Sequence, residues 1–353
     1  MKKLLFFIWL LVMNFSFSVS QPAEYPAPGG GRGSFIFNLE NDVWLQRDDG
    51  YTNGIGFTWV SPPLREKQKS GLLRFLYRLN INLLGDDNQV NKNSRLSASH
   101  QSERWVAISL TQGTFTPADL FESQVIRDDR PYAGLLYGSL SLIRNTGQQQ
   151  DSFGAAVGVI GPASLADAAQ KWLHRTYGWV EPQGWANQLK NEPIFELWFG
   201  RLWNLTDLSE EGDHSSCRPA VKMGLSGQVG NLTTAIGTVL DLKFGLNLKP
   251  QNEAFVPSPL FNQLNLLNTT RTSIYAFCRL EGKLIFHNLL LEGNTFQSSP
   301  EVEARALYGQ LTSGMVYQSQ QAVLGFYAVL RTKEFKGQRY FDPYCGLIIG
   351  FNL

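Results

Sequence analysis

The chain is built on a two-residue rhythm. In YTNGIGFTWV, Tyr51, Ile55, Phe57 and Trp59 share one face, and Thr52, Gly54, Gly56 and Thr58 share the other. AVKMGLSGQ sets Val221, Met223 and Leu225 against Lys222, Gly224, Ser226 and Gln228. IYAFCRLEGKLIF sets Ile274, Ala276, Cys278, Leu280 and Leu284 against Tyr275, Arg279, Glu281 and Lys283. The last segment aligns Phe341, Cys345, Leu347, Ile349, Phe351 and Leu353. Such a period is that of an extended strand. A sandwich in water turns one face to a core and the other to solvent. Here the face opposite the apolar one is small and polar, with charges in mid-strand. That pattern is apolar-out and polar-in, as in a transmembrane β-barrel.

The rhythm recurs in twelve segments: 33–45, 51–62, 103–114, 131–145, 150–161, 192–205, 217–228, 232–247, 272–289, 301–316, 319–335 and 340–353. The fold expected is all-β, a 12-stranded antiparallel transmembrane β-barrel of the Gram-negative outer membrane, crossing it many times. An even strand number places both ends of the barrel on the periplasmic side and assigns every connection to a face. The outer face receives 46–50, 115–130, 162–191, 229–231, 290–300 and 336–339. The periplasmic face receives 63–102, 146–149, 206–216, 248–271 and 317–318. Trp44, Trp59, Trp105, Tyr132 and Trp203 fall near strand ends, as expected of interfacial belts.

Composition agrees. Charged residues make up 17%, against about 25% in ordinary soluble domains. Lys2 and Lys3 precede an apolar run from Leu4 to Met13, with small residues at Ser18 and Ser20, so residues 1–20 read as a signal peptide. Without those two lysines, 31 Lys and Arg against 30 Asp and Glu become one net negative charge. Nothing in that balance calls for nucleic acid. QPAEYPAPGGGRG reads as a Pro/Gly linker over 21–33, leaving 34–353 as a single barrel domain. No later window is apolar enough for a transmembrane helix. Cys217, Cys278 and Cys345 have no metal-ligand spacing. The 63–102 connection contains SGLLRFLYRLNINLL, either an amphipathic helix at the inner membrane surface or a folded insertion covering the barrel floor. The second is the plainer expectation.

Strand parity gathers polar clusters at the outer end. ENDVW closes the first strand, GYTNG opens the second, and RDDRPYAG leads into the fourth. The longest outer loop, 162–191, holds AAQKWLHR, which has helical spacing. Its apolar side, Leu165, Ala169, Trp172 and Leu173, is expected to pack on the barrel mouth. Asp167, Gln170 and His174 then face an enclosed site. Histidine is the natural general base near neutral pH. Asn41, Asp42 and Thr52 offer hard oxygen donors suited to calcium rather than zinc. A cation beside a histidine-activated water makes a complete hydrolytic arrangement.

ENDVWLQRDDGYTNG, RDDRPYAG, GVIGP…AAQKWLHR…GWANQLKNEP and FHNLLLEGN, in this order and over most of the chain, strongly resemble the LpxR-type lipid A deacylases of the Gram-negative outer membrane. The resemblance implies a twelve-stranded barrel that removes the 3′-linked acyloxyacyl chain from lipid A in the outer leaflet. It implies calcium dependence and chemistry like that of calcium-dependent secreted phospholipases. By the same resemblance, the family's essential Asn-Asp pair falls on Asn41 and Asp42, its threonine on Thr52, and its Gln and His on Gln170 and His174. Its glutamate falls on Glu181, one position off the expected spacing. Calcium would be held among Asn41, Asp42, Thr52 and Glu181. The family's basic residue before the fourth strand has no counterpart, because Glu122 stands near there. Arg130 is the substitute for contacting lipid A phosphates, or else a structural partner of Asp128 or Asp129.

The alternation raises a difficulty. Asn41 continues the outward row of Phe35, Phe37 and Leu39, whereas Asp42 shares the inward parity of Glu40. Either a bulge re-aims one of them, or the site straddles the rim and opens sideways to the membrane. Among the other histidines, His287 lies within reach of the rim or is a hydrogen-bonded wall residue. His100 and His214 fall in periplasmic segments. Asp241, Lys243, Arg279, Glu281, Lys283 and Arg331 have inward parity and are expected to form a charge network that seals the lumen. Two competing readings remain. One is a non-enzymatic barrel, a narrow pore or adhesin. The other is a different lipid esterase or phospholipase, for which no Gly-x-Ser-x-Gly elbow is present. Oligomeric state is not encoded in any of these features.

Overall fold

A computed structural model describes residues 33–45, 50–67, 70–86, 102–206, 217–248, 253–261, 263–265 and 272–353. The expected signal segment, residues 21–32 of the linker, His100, His214 and much of the 63–102 connection lie outside them.

Twelve of the strands close into one antiparallel barrel. They are β1 Ser34–Asn41, β2 Gly50–Val60, β3 Glu103–Thr116, β4 Ala133–Asn145, β5 Gln149–Ile160, β6 Glu192–Asn204, β7 Arg218–Gly230, β8 Thr233–Leu246, β11 Ser273–Asn288, β12 Leu307–Gln318, β13 Ala322–Arg331 and β14 Asp342–Asn352. The short strands β9 Glu253–Phe255 and β10 Gln263–Asn265 pair only with each other. The seam closes where β1 meets β14, with Phe35 opposite Phe351 and Asn41 opposite Cys345.

The parity reading holds along the walls. Phe57, Ile108, Leu110, Val157, Phe195, Met223, Ile236, Leu280 and Phe326 point out and are exposed, a continuous apolar belt. Asn38, Glu40, Lys222, Asp241, Tyr275, Arg279 and Glu281 point in and are buried. Two expected belt aromatics do not belong to the belt. Trp105 is buried on the inward side, and Tyr132 is buried against Trp185 with ring centroids 4.9 Å apart. Residues 301–306, expected as strand, stay outside β12. Val302 instead packs with Leu291 and Phe335, and Ala304 bridges Phe335.

The lumen is crossed by paired charges. Arg279 donates to Asp241 at 2.5 Å, Lys243 bonds Glu253, and Arg331 pairs with Asp342 at 2.8 Å. Arg331 also lies 5.0 Å from the ring centres of both Tyr51 and Tyr344. Pairing and hydrogen bonding make such charges tolerable away from water. Part of the remaining space is taken by residues 253–261, which parity assigns to a periplasmic connection, and they stand beside a cavity lined by Glu40, Arg279, Glu281, Tyr308 and Arg331. Ala254, Phe255 and Val256 are buried. Gln228 donates to the Pro257 carbonyl at 2.9 Å, and the Leu260 amide donates to the Tyr137 hydroxyl at 3.1 Å. Phe261 occupies a notch in β2, where a Cβ on Gly56 would stand 2.7 Å from its ring. The segment is apolar and carries prolines, so it suits neither a periplasmic surface nor a regular wall strand.

Helix α1 (Gly71–Leu84) follows β2. It does not cover the floor. Leu76 and Leu84 pack with Val106 and Leu142, which have outward parity, so α1 lies on the outside of the wall.

Candidate functional site

The site begins where the outward rows of two strands turn polar. On β1 the row runs Phe35, Phe37, Leu39, Asn41. On β3 it runs Ile108, Leu110, Gln112, Thr114, Thr116. Thr114 and Thr116 are buried although they face away from the lumen, so something covers the outer wall there.

The β1–β2 corner supplies one side. β1 is regular through Asn41, which pairs with Cys345 and Asn53. Asn41 Oδ1 accepts the Val43 amide at 2.8 Å, the Asn-type turn that starts a 3₁₀ turn over Val43–Leu45. Asn41 Nδ2 reaches Asn53 Oδ1 at 3.4 Å. Asp42 is completely buried, and its amide donates to the Thr52 carbonyl at 3.3 Å. Trp44 then folds down beside Phe326 of the lipid-facing belt, 6.1 Å between centroids. The corner therefore sits against the exterior of the barrel.

The bulge falls on β2 and not on β1. Tyr51 opposes Phe115 and Asn53 opposes Thr114, leaving Thr52 as the extra residue. One added residue swaps the faces of what precedes it. Tyr51, read as outward, turns into the lumen and donates its hydroxyl to Glu40 at 2.7 Å. Thr52, read as inward, comes within 2.7 Å of Thr116 Oγ1, hydroxyl to hydroxyl. Thus Thr52 shares the outer face with Asn41.

The outer loop supplies the cover. Gly161 and Leu165 both take positive φ, 98° and 60°, folding the chain into a 3₁₀ turn, Pro162–Ser164, and then helix α2, Ala166–Tyr177. Gln112 Nε2 donates to the Ser164 carbonyl at 2.6 Å. Gly134, on the outward row of β4, leaves the space into which Ser164 and Ala166 fit. The stripe Ala166, Gln170, His174 is buried along the wall, one residue per turn. Trp185 Nε1 donates to Gln170 Oε1 at 2.8 Å. The α2 helix ends at Gly178 in the left-handed region, which returns the chain so that His174 Nδ1 bonds the Val180 carbonyl. A carbonyl can only accept, so Nδ1 carries the proton and Nε2 of the neutral ring carries the lone pair.

The orientation of α2 differs from expectation. Leu165 and Trp172 are 61% and 66% exposed, and Asp167 is half-exposed beside Lys171. The helix rests on a polar stretch of outer wall, so its polar stripe faces protein and its large apolar side chains face outward, where a barrel meets lipid. Glu181 is not drawn into the corner. Both its oxygens hold Arg175, at 2.8 and 2.9 Å, and that guanidinium keeps the exposed carboxyl below the usual range. Arg130 is buried on the lumen side, 3.3 Å from Glu334 and over the Phe115 ring, while Asp129 accepts the backbone amides of Arg130 and Ala118. His287 is a wall residue, bonded to Glu292 at 2.6 Å and to the Asn231 carbonyl at 2.9 Å.

The donor chemistry at the corner fits a hard cation in part. Asn41, Asp42 and Thr52 are buried at this corner and carry oxygen donors, whereas Glu181 is committed to Arg175. Among the described residues, no three His, Cys, Asp or Glu side chains gather into a metal cluster. Sequence reasoning missed Gln112, Thr116, Gly134, Tyr132 and Trp185. The signal for the first two was present in the outward row of β3, which turns polar before the strand ends.

Comparison with known proteins adds the following. The family model described as "Outer membrane protein LpxR" matches residues 5–353. No curated relative matches. Among solved structures, LpxR from Salmonella typhimurium superposes with a TM-score of 0.70 at 16% identity, covering 91% of this chain and 100% of that one. A bacterial polysaccharide outer membrane secretin covers 92% of this chain and 99% of its own at 7% identity, with a TM-score of only 0.31. The toluene transporter TodX of Pseudomonas putida covers 92% and 89% at 9% identity, with a TM-score of 0.32.

Proposed function

The chain belongs to the LpxR family of outer membrane proteins, and from that premise we propose that it hydrolyses the 3′-linked acyloxyacyl ester of lipid A in the outer leaflet. The observation that carries the reading is the position of His174: buried between a loop helix and the outer face of the wall, with its tautomer fixed by the Val180 carbonyl. A site on the exterior face suits a substrate whose acyl chains stay in the bilayer. A lumenal site would require the lipid to leave it.

In the proposed reaction His174 Nε2 takes a proton from water as the water oxygen attacks the ester carbonyl. The tetrahedral intermediate collapses, the C–O bond to the sugar breaks, and the proton passes from His174 to the departing alkoxide. Gln170, held by Trp185, positions the helix face beside the reacting ester. Asn41, Asp42 and Thr52 are the residues that would hold calcium, which when bound supplies positive charge to the developing oxyanion. Glu181 would join them only by leaving Arg175.

A lumen crossed by the Arg279–Asp241 and Arg331–Asp342 pairs and narrowed by the 253–261 segment disfavours a pore. A different ester lipid remains the rival substrate, and one measurement separates the two. Lipid A from cells expressing the wild type should lose one acyloxyacyl unit by mass spectrometry, and His174→Ala should slow that loss by ~10²- to 10⁴-fold. A chelator should abolish it. Intact lipid A from cells holding folded wild-type barrel would overturn the reading.

A further inference from the structure

Helix α1 has two apolar faces, and the barrel uses one of them. Leu76, Asn80 and Leu84 are buried against the outer wall. Asn80 there donates to the Trp105 and Ile143 carbonyls at 3.3 and 3.0 Å and accepts from Arg104 at 2.7 Å. Arg104 and Arg144 also bond the terminal carbonyls of Gly85 and Leu84, which fastens the helix end to the wall. These contacts fix the helix rotation.

With that rotation fixed, Leu72, Phe75 and Leu83 form a second row along one flank, and half-buried Leu79 joins it to the wall cluster. Leu72 and Phe75 are 64% and 60% exposed, and Leu83 is exposed as well. At 100° per residue the row lies about a quarter turn from the buried stripe. The opposite flank carries Arg74 and Arg78, both exposed, and Arg65 and Lys67 stand exposed just before the helix. A large apolar row facing water is costly. This row is continuous with an apolar surface already in lipid, since Leu140 and Phe153 of the outward belt pack around the same cluster. The helix lies at the barrel end that carries both the β1 start and the β14 end, the end that an even-stranded outer-membrane barrel turns to the periplasm.

We propose that α1 is embedded in the inner leaflet, its Leu72–Leu83 row in hydrocarbon and its Arg74–Arg78 flank on the phosphates of anionic phospholipid. An amphipathic helix with a basic polar face binds an anionic interface in this way. Held by the wall, α1 pays little of the ordering entropy that a free helix loses on insertion.

The test uses the full barrel in vesicles of phosphatidylethanolamine and phosphatidylglycerol. A nitroxide is placed at Leu72→Cys, Phe75→Cys, Leu83→Cys, Arg74→Cys or Arg78→Cys, in a background carrying Cys217→Ser, Cys278→Ala and Cys345→Ala. Collisions with oxygen should exceed those with a water-soluble nickel chelate at 72, 75 and 83, and the order should reverse at 74 and 78. Chelate-dominated collisions at 75 and 83 would overturn the proposal, and so would protection from both reagents, which would mean a protein covers the row. Melting of the folded band on unheated gels should rise when phosphatidylglycerol replaces phosphatidylcholine. The Arg74→Gln/Arg78→Gln variant should lose that rise while folding normally in phosphatidylcholine. A full rise in that variant would overturn the headgroup assignment.

Discussion

Docking of the outer loop depends on one missing methyl group. A Cβ placed on Gly134 would lie 2.1 Å from Ser164 Oγ and 2.6 Å from the Ala166 Cβ. Neither can yield easily: Ser164 Oγ is tied to the Gly161 carbonyl at 2.6 Å, and Ala166 begins the α2 helix. Overpacking of this kind costs roughly 1–3 kcal/mol. At 1.4 kcal/mol per factor of ten, the docking equilibrium of the loop in Gly134→Ala shifts toward the open state by ~5- to 150-fold. Lys171 and Arg175 make the helix a trypsin target once it leaves the wall. Where reclosing is fast, cleavage tracks the open population, so its rate should rise by the same factor. Gly138→Ala is the control. It lies on the same outward row of β4, and its Cβ would meet only the Ser109 carbonyl, at 3.8 Å. Gly134→Ala cut no faster than Gly138→Ala, in barrels that both keep their folded gel mobility, would refute the account of how the loop is seated.

Other outcomes follow from the same contacts. Glu40 accepts the hydroxyls of Tyr51 at 2.7 Å and Tyr327 at 2.6 Å, so Tyr51→Phe or Tyr327→Phe should each cost ~1–3 kcal/mol and lower the melting temperature of the folded band; an unchanged melt in both would contradict it. The Arg175 guanidinium holds the Glu181 carboxyl below 4.5. A depressed carboxyl contributes above its unfolded value and loses that contribution as pH falls through the folded one. Corrected amide exchange over 176–183 should therefore stay flat from pH 7 to 5, and a rise within that window would count against the pair.

Much of the barrel was legible because the wall obeys one period. Inward Arg279 and outward Leu280 are fixed once a single neighbour is placed. Where the period slips, the reading slipped with it. The bulge at Thr52 has no signal of its own in GYTNG, so Tyr51 and Thr52 were assigned to each other's faces. The rotation of α2 departs from its apolar pattern for a different reason. Apolar Leu165 and Trp172 would pack inward on an apolar support, but the wall beneath this helix is polar at Gln112, Thr114 and Thr116, so the polar stripe is the one that turns in. The lumen insert was hidden because residues 253–261 carry prolines and no alternation. Arg130 was uncertain for lack of its partner, since Glu334 lies far away in sequence and is brought close only by closure.

The insert has a consequence for how the barrel is made. Residues 253–261 are tethered between β8 and β11, yet they touch β2 through Gly56, β4 through Tyr137 and β7 through Gln228. Strands lying flat in an open sheet could not all reach so short a segment at once. The contacts exist only when the sheet is curled. Seating of the insert and closure of the barrel are therefore coupled, because these contacts with β2, β4 and β7 need the curled sheet. Loosening the insert should accordingly weaken the closed barrel as a whole, and not only the wall positions it touches.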